Sequence, residues 1–222
     1  MTHPHDSTRP TTRPIAGELA VVWQMVWDRL ERSVNQPDDP WREGVFATSR
    51  VPGGDPFGLR TVILRRVERD AAALTIHTDA RSPKIAQIEA DPAVEWLGYD
   101  RRERLQIRLA GRATIHRADA VAEALWNESS PLSLRGYLGG HPPGTPVESD
   151  TPDPNLPAWV LERGDRLTRE EVQPGRAHFA AVRIVVYAVE MLQLDRAGHR
   201  RARFDRVPND PRTLWTGGWI MP

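Results

Sequence analysis

Seven residues between a predicted strand and a predicted helix, Thr78 to Lys84, have the composition of an anion site. Thr78 ends the strand, and Ser82-Pro83 can begin the helix, because serine caps helices and proline suits the first helical position. The free backbone N–H groups and the positive end of the helix dipole at such a start favour an anion. Arg81 and Lys84 add cationic donors that bind phosphate well. The segment therefore predicts a phosphate site, with an ordinary capped surface helix as the alternative.

A second cationic segment, Arg60 to Arg65, lies in the strand before that one and reads RTVILR. Successive side chains of a strand point to opposite faces. One face would therefore carry Arg60, Val62, Leu64 and Arg66, and the other would carry Thr61, Ile63 and Arg65. A cation at the end of each face could hold a ligand, although a barrel strand with solvated ends has the same pattern.

The third segment is a strict alternation from Arg104 to Gly111. It places Leu105, Ile107 and Leu109 on an inward face and Arg104, Gln106 and Arg108 on the other. The Gln106 amide can both donate and accept hydrogen bonds, so it suits the edge of a ligand that offers both kinds of group. A cross-strand surface pair is the alternative interpretation.

Antiparallel strands with helices inserted between them position these segments. Strands are predicted at 44–49, 59–67, 73–78, 93–99, 104–116, 177–194, 199–205 and 213–220, with a hairpin turn at 51–58. Helical spacing of apolar residues or helix signals predict helices at 15–35, 82–90, 118–127 and 132–138. The fold class is therefore mainly β with peripheral helices, in a closed or nearly closed antiparallel sheet.

Composition excludes several classes of protein. The 30 basic residues balance the 30 acidic ones, which argues against a general partner role for nucleic acid or a membrane surface. The chain has no cysteine, so a reducing cytoplasm fits, and its seven scattered histidines form no metal-binding spacing. We expect no metal site and a cytoplasmic location.

Two regions of the chain are predicted to lack regular structure. Residues 1–14 are polar and contain proline, so we expect a disordered arm before one domain at 15–222. Residues 139–175 predict a long Pro/Gly-rich loop, whose first part, 139–157, holds six prolines. Structureless loops of this length in compact domains are often lids or mobile segments.

The order of the three segments, RTVILR, TDARSPK and QIRLAG, resembles the pyridoxamine 5'-phosphate oxidase-like FMN-binding split-barrel family. It looks most like the broad subfamily described as pyridoxamine 5'-phosphate oxidase-related, FMN-binding. The resemblance extends from Trp41 to the C-terminal Trp219–Pro222. It implies an antiparallel split β-barrel, FMN as the cofactor, and a homodimer with the flavin at its interface.

Carried over by position, the resemblance implies a set of FMN-binding residues, namely Arg60, Thr61, Val62, Ile63, Leu64, Arg65, His77, Thr78, Arg81, Ser82, Lys84, Gln106 and Arg203. Arg60 and Lys84 would hold the phosphate, with Arg81 and Ser82 nearby. The backbone of 61–64 would run along the ring, and His77 and Thr78 would line the ribityl and phosphate side. Gln106 would bind the pyrimidine edge, and Arg203 would come from the partner subunit.

Several positions depart from the family pattern. Leu192 stands near the position of a stacking Trp, and Pro83 stands where a basic residue is common. Arg65 replaces a Lys, and Ser130 stands where the oxidases grip the substrate phosphate with an Arg. The tail, 199–203, also lacks the Arg-Leu-His of those enzymes. We therefore expect an FMN-dependent oxidoreductase whose substrate, electron donor and catalytic residues the sequence does not identify, and these departures argue against vitamin B6 oxidation. A non-catalytic FMN binder (sensor, carrier or remnant) and a barrel that has lost FMN are the alternatives.

Overall fold

The computed structural model describes residues 13–49, 58–207 and 215–222. Within them the strands are β1 (Arg13–Pro14), β2 (Glu43–Thr48), β3 (Gly58–Glu68), β4 (Ala73–Asp79), β5 (Ala93–Asp100), β6 (Leu105–His116), β7 (Phe179–Gln193), β8 (Arg200–Arg206) and β9 (Trp215–Ile220). The helices are α1 (Glu18–Asn35), α2 (Pro83–Ala90), α3 (Ala120–Glu128), α4 (Pro131–Leu134), α5 (Ala158–Arg163) and α6 (Arg169–Val172), with 3-10 turns at Arg135–Leu138 and Gln173–His178.

The strands form one antiparallel sheet that closes into a barrel. The sheet order is β1-β9-β8-β7-β4-β3-β2-β5-β6, and β6 pairs back onto β7. Six strands, β7, β4, β3, β2, β5 and β6, therefore form a closed ring, while β8, β9 and β1 extend it. The long β7 makes this possible, because its first half pairs with β4 and its second half with β8. The prediction of a mainly β, split-barrel fold with peripheral helices is confirmed.

The barrel interior is filled by the inward residues that strand alternation predicts. Leu105, Ile107 and Leu109 of β6 are buried, as the alternation on that strand requires. Trp96 of β5 is fully buried and occupies the space that two glycines leave open. A Cβ atom on Gly44 would lie 2.3 Å from the Trp96 ring, and one on Gly98 would lie 2.5 Å from it. Neither glycine could therefore carry a side chain without moving the tryptophan.

A second apolar cluster lies outside the barrel and packs the peripheral helices on β7. Trp126 of α3 and Phe179 of β7 meet edge to face, with ring centroids 5.3 Å apart. Leu134, Val160 and Val172 bring α4, α5 and α6 into the same cluster. This cluster fixes the helices beside one end of β4, where residues of the candidate site lie.

Two predicted regions without regular structure are shorter than expected. Residues 13 and 14 pair with β9, so they are not part of the arm predicted for 1–14, and the rest of that arm lies outside the described residues. The predicted loop at 139–175 ends at 157, because α5, α6 and a 3-10 turn follow. These helices are four to six residues long, too short to establish helical periodicity in the sequence. The predicted hairpin turn, apart from Gly58, also lies outside the described residues.

No helix within the described ranges has both the length and the apolar character that crossing a membrane requires.

Candidate functional site

Arg60 and Lys84 come together at one end of the barrel, where Thr78 and Ser82 join them. We call these four residues the cradle. β3 supplies Arg60, the end of β4 supplies Thr78, and the start of α2 supplies Ser82 and Lys84. The four come from three consecutive elements of the chain, which is why their spacing could be recognised in the sequence.

Neutral oxygen acceptors hold the Arg60 guanidinium in place. Its Nη1 donates to Thr48 Oγ1 and to the Gly58 carbonyl, both at 2.7 Å, and its Nη2 donates to Gln87 Oε1 at 2.8 Å. Gly58 has to lack a side chain, because a Cβ atom there would lie 2.3 Å from Thr48 Oγ1. These three acceptors together fix the orientation of the guanidinium.

Lys84 is similarly held by hydroxyl groups. Its Nζ donates to Thr78 Oγ1 at 2.8 Å and to Ser82 Oγ at 2.7 Å. Burial and, to a lesser extent, the positive charge of Arg60 lower the pKa of Lys84 to about 8, while Asp79 opposes the shift. The two cations therefore lie close enough to repel each other, and an anion between them would relieve that repulsion.

The donors of the cradle match a phosphate group. Guanidinium and ammonium groups form short, charge-assisted hydrogen bonds to phosphate oxygens. Ser82 lies at the N-cap position of α2, as predicted, but its side chain does not cap the helix and accepts from Lys84 instead. The first turn of α2 contains no acidic residue that would repel an anion.

Arg81 does not belong to the cradle as the structure presents it. Its Nε and Nη2 donate to the two carboxylate oxygens of Asp79, at 3.0 and 2.7 Å. Its guanidinium also donates to the carbonyl groups of Gly139, at 3.0 Å, and Gly140, at 3.4 Å. The cation that was predicted to lie beside the phosphate is thus engaged by an acidic residue and by the 139–157 loop.

Between Arg60 and Arg65 the strand alternates as predicted. Val62 and Leu64 are buried, whereas Thr61 and Ile63 are exposed on the outer surface. A ligand on that surface could contact the β3 backbone and the two outward side chains, but not the two buried ones.

The alternation then breaks at a β-bulge. Leu64 pairs with Ile76 but Arg66 pairs with Thr75, so one residue of β3 is unmatched. A bulge of this kind redirects side chains. Arg65 and Arg66, which strict alternation places on opposite faces, both line one cavity.

That cavity is a second cationic site, which we call the arginine pocket. It has a volume of about 390 Å³, and its polar lining includes Arg42, Arg65, Arg66, His77, Ser129 and Ser130. Arg66 pairs with Glu128. Arg65 has no acidic partner among the described residues, and burial lowers its pKa. The pocket therefore carries an uncompensated positive charge.

His77 faces this pocket and not the cradle. Burial and, to a lesser extent, the charges of Arg65 and Arg66 lower its pKa to about 3, so the imidazole is neutral at pH 7. Its Nε2 is buried and has no hydrogen-bond partner in the described structure. His77 and Thr78 are neighbours in β4, but alternation sends them to different sites.

The other two predicted residues, Gln106 and Arg203, lie on strands that flank β7. Gln106 of β6 is paired with Tyr99 on one side and with Leu192 on the other. Arg203 of β8 contacts Asp205, with its Nη2 2.8 Å from the carboxylate. Leu192 thus lies beside Gln106, at the position where the family resemblance implies a tryptophan.

The sequence argument missed Thr48 and Gln87, which hold Arg60, and also Arg42 and Ser129 of the arginine pocket. Thr48 could have been suggested by Gly58, its β-hairpin partner, but no local pattern links Gln87 to Arg60. Arg42 and Ser129 lie far apart in the chain, and the fold brings both to the lining of this pocket.

Comparison with known proteins agrees with this architecture. Residues 24–117 match the family model for the pyridoxamine 5'-phosphate oxidase, FMN-binding domain. A pyridoxamine 5'-phosphate oxidase-related, FMN-binding protein from Nostoc punctiforme is 24% identical, with a TM-score of 0.64 over 90% of this chain and 97% of that one. PhzG from Burkholderia lata, in complex with tetrahydrophenazine-1-carboxylic acid, is 17% identical, with a TM-score of 0.60 over 100% of this chain and 98% of that one.

At these identities the two structures show a shared fold. No curated protein matches the chain. The family match and the fold together confirm the resemblance seen in the sequence. Residues 24–117 belong to the pyridoxamine 5'-phosphate oxidase FMN-binding domain family, and the described chain is folded as its split barrel.

Proposed function

We propose that this protein binds FMN through the cradle and acts as an FMN-dependent oxidoreductase on a small anionic molecule. The observation that carries the proposal is the pair of cations, Arg60 and Lys84, which lie near each other and are each oriented by hydrogen bonds to side-chain oxygens. Burial and the charge of Arg60 lower the pKa of Lys84, so an anion bound between the two cations would be stabilised by both of them.

The FMN phosphate suits the cradle, and the strand that leaves it suits the flavin ring. Arg60 begins and Arg65 ends the same stretch of β3, a rise of roughly 17 Å at about 3.3 Å per residue. The ring would lie along the outer surface of that stretch, beside Thr61 and Ile63. The flavin supplies the redox chemistry, and the protein supplies position and electrostatics.

The arginine pocket supports an anionic substrate. It lies at the Arg65 end of the strand, whereas the cradle lies at the Arg60 end. Ser130 replaces the substrate-gripping Arg of the oxidases, but the bulge brings Arg66 to the same pocket, and Arg42 contributes from the β2 side. Positive charge is therefore retained with a changed arrangement, which fits an acidic substrate other than pyridoxamine phosphate.

A homodimer is part of the proposal. Apolar side chains on the outer barrel surface, among them Leu59 and Tyr99, are 61% and 42% exposed in the single chain. Interface cores favour such residues. Arg203 would then reach the partner's flavin, as the family resemblance implies. Sedimentation of the FMN-bound protein at micromolar concentration should show a dimer, and a monomer would contradict this part.

Two predictions from the sequence stay predictions. Residues 15–222 are expected to form one domain, and the protein is expected to work in the cytoplasm.

The test of the proposed function is the colour of the purified protein and its response to a reductant. We expect an absorption spectrum of bound flavin, FMN as the compound that heating releases, and weaker binding of added FAD. Bleaching by NAD(P)H followed by recolouring in air would support an oxidoreductase. A yellow protein that no donor reduces would favour the non-catalytic FMN binder, and a colourless protein that FMN does not titrate would refute both.

A further inference from the structure

The loop at 139–157, which we call the strap, is closed at its neck by a pair of hydrogen bonds. The backbone N–H of His141 donates to Asn155 Oδ1 at 2.9 Å, and Asn155 Nδ2 donates to the His141 carbonyl at 2.8 Å. Asn155 has a φ of 53°, a left-handed conformation that asparagine tolerates. A Cβ atom on Gly139 would lie 2.8 Å from the Asn155 amide, so this position needs glycine. The strap therefore has a defined neck.

Arg81 fastens that neck to the barrel. The same guanidinium that binds both oxygens of Asp79 also donates to the carbonyl groups of Gly139 and Gly140. The backbone N–H of Arg81 donates to Asp79 Oδ1 at 2.7 Å as well. Asp79 thus holds the arginine rigid, and the arginine holds the strap.

The strap also approaches the start of α2. A Cβ atom on Gly144, five residues beyond Gly139, would lie 4.0 Å from Pro83 Cγ. Pro83 stands between Ser82 and Lys84, which are both cradle residues. The strap is therefore bonded to Arg81 on one side of Ser82 and passes near Pro83 on the other.

Arg81 has a second role, which is to neutralise the negative charge of Asp79 near the cradle. Asp79 is close enough to Lys84 to raise the pKa of that amine. An unpaired carboxylate at this distance from the cradle would repel a bound phosphate dianion. Arg81 neutralises the carboxylate with a two-pronged ion pair.

We propose that the Asp79–Arg81 pair is a latch that fastens the strap across the phosphate end of the cradle. Arg81 is then a positioning residue that retains the cofactor by holding the strap and shielding Asp79, without gripping the phosphate itself. The inference rests on the proposed function for the identity of the ligand, but the latch exists in the protein without a ligand.

The latch can be tested first on the ligand-free protein. Amide hydrogen exchange over 139–157, read at His141, should be slow in the wild type. Exchange should quicken by about tenfold in Arg81→Gln, because local opening sets the rate of exchange. Arg81→Lys should behave similarly, since an ammonium cannot bind Asp79 and two carbonyl groups with the geometry of the guanidinium. Asp79→Asn should also quicken exchange.

A matched control is Arg163→Gln. Arg163 pairs with Glu171 at 2.9 Å outside the strap, so its loss removes a surface ion pair without touching the latch. The control should leave exchange over the strap unchanged. If Arg81→Gln also leaves it unchanged, the latch does not exist, whatever the protein binds.

The second measurement is the rate at which FMN leaves the protein. Dissociation should be about tenfold faster in both Arg81→Gln and Arg81→Lys, because changes of affinity at one site mostly appear in the off-rate. If Arg81 gripped the phosphate as a charge, Arg81→Lys would retain FMN almost as the wild type does, and that result would overturn the proposal. If the wild type binds no FMN, the proposed function fails, while the exchange experiment still decides whether Arg81 is a latch.

Discussion

The cradle and the arginine pocket are both cationic, but they are built in opposite ways. In the cradle, Arg60 and Lys84 are bound by hydroxyl, amide and carbonyl oxygens within 2.8 Å. In the pocket, Arg66 is paired with Glu128, and Arg65 has no acidic partner among the described residues. The cradle is a small, fixed set of donors, whereas the pocket is a cavity of about 390 Å³.

This difference indicates different ligands. Donors held in place by several short hydrogen bonds suit one group of constant shape, such as the phosphate of a resident cofactor. A roomier pocket whose charge is partly balanced suits a molecule that must enter and leave. We therefore propose the cradle as the site of the cofactor phosphate and the arginine pocket as the site of the substrate.

Charge reversal in each site should separate the two roles most strongly. Lys84→Glu should weaken FMN binding by about a thousandfold, because it removes a charge-assisted bond of roughly 1.5–3 kcal/mol and adds repulsion. Arg65→Glu should leave FMN affinity within about threefold, since the pocket is not expected to hold the phosphate. Fluorescence titration with FMN measures both values.

Circular dichroism and thermal melting would show whether each variant still folds. If Lys84→Glu does not fold, the milder Lys84→Gln variant can be measured in its place. Equal losses of FMN affinity in the Lys84 and Arg65 variants would remove the distinction between the sites.

The pH dependence of FMN binding tests whether protonated Lys84 holds the phosphate. Its pKa is about 8 without a ligand. Only the protonated amine can attract the phosphate, so the competent fraction falls as pH rises through 8. The apparent Kd should therefore rise by up to about tenfold for each pH unit above 8.

Lys84→Arg is the matched control, because a guanidinium stays charged throughout this range. Its FMN affinity should be lower overall but flat between pH 7 and about 9.5. A wild-type affinity that is equally flat would show that protonation of Lys84 does not govern binding.

The smallest expected effect comes from the titration of His77. It should change the stability of the protein and not its affinity for FMN. Its pKa of about 3 lies below the ordinary value of 6.5, so between these limits the unfolded chain binds a proton that the folded chain does not. The free energy of unfolding should fall as pH drops from about 6.5 toward 3, with a slope of at most about 1.4 kcal/mol per unit from this residue.

Urea unfolding at pH 5 and pH 7 would measure this contribution. His77→Gln should be less sensitive to acid than the wild type over the same interval. If the free energy of unfolding changes equally between pH 7 and pH 5 in His77→Gln and in the wild type, His77 does not titrate as its burial implies.

Strand alternation and helix signals predicted most elements of the fold, and the family resemblance implied the split barrel and that Arg60 and Lys84 would lie together. The β6 face with Leu105, Ile107 and Leu109 is buried as predicted, and α2 begins at Pro83. These features depend on residues that are neighbours in the chain or one element apart. Local sequence therefore carries the information.

The arginine pocket and the latch could not be predicted in this way. The bulge that turns Arg65 and Arg66 to one side depends on the register of β3 against β4, and no residue marks it. Arg81 was predicted to lie near the phosphate, and its contacts with Asp79 and the distant Gly139 were not predicted. The arginine pocket depends on strand pairing across the sheet. The latch depends on a contact between two residues that are 58 positions apart in the chain.

The central claim, that Arg60 and Lys84 grip a phosphate, is tested most directly by comparing FMN with riboflavin, which lacks the phosphate. Arg60→Ala or Lys84→Ala should each weaken FMN binding by about tenfold to a hundredfold, the loss of one charge-assisted bond. Riboflavin binding to the same variants should change by less than about threefold. Equal losses for both flavins would contradict the account and show that the cradle is not the phosphate site.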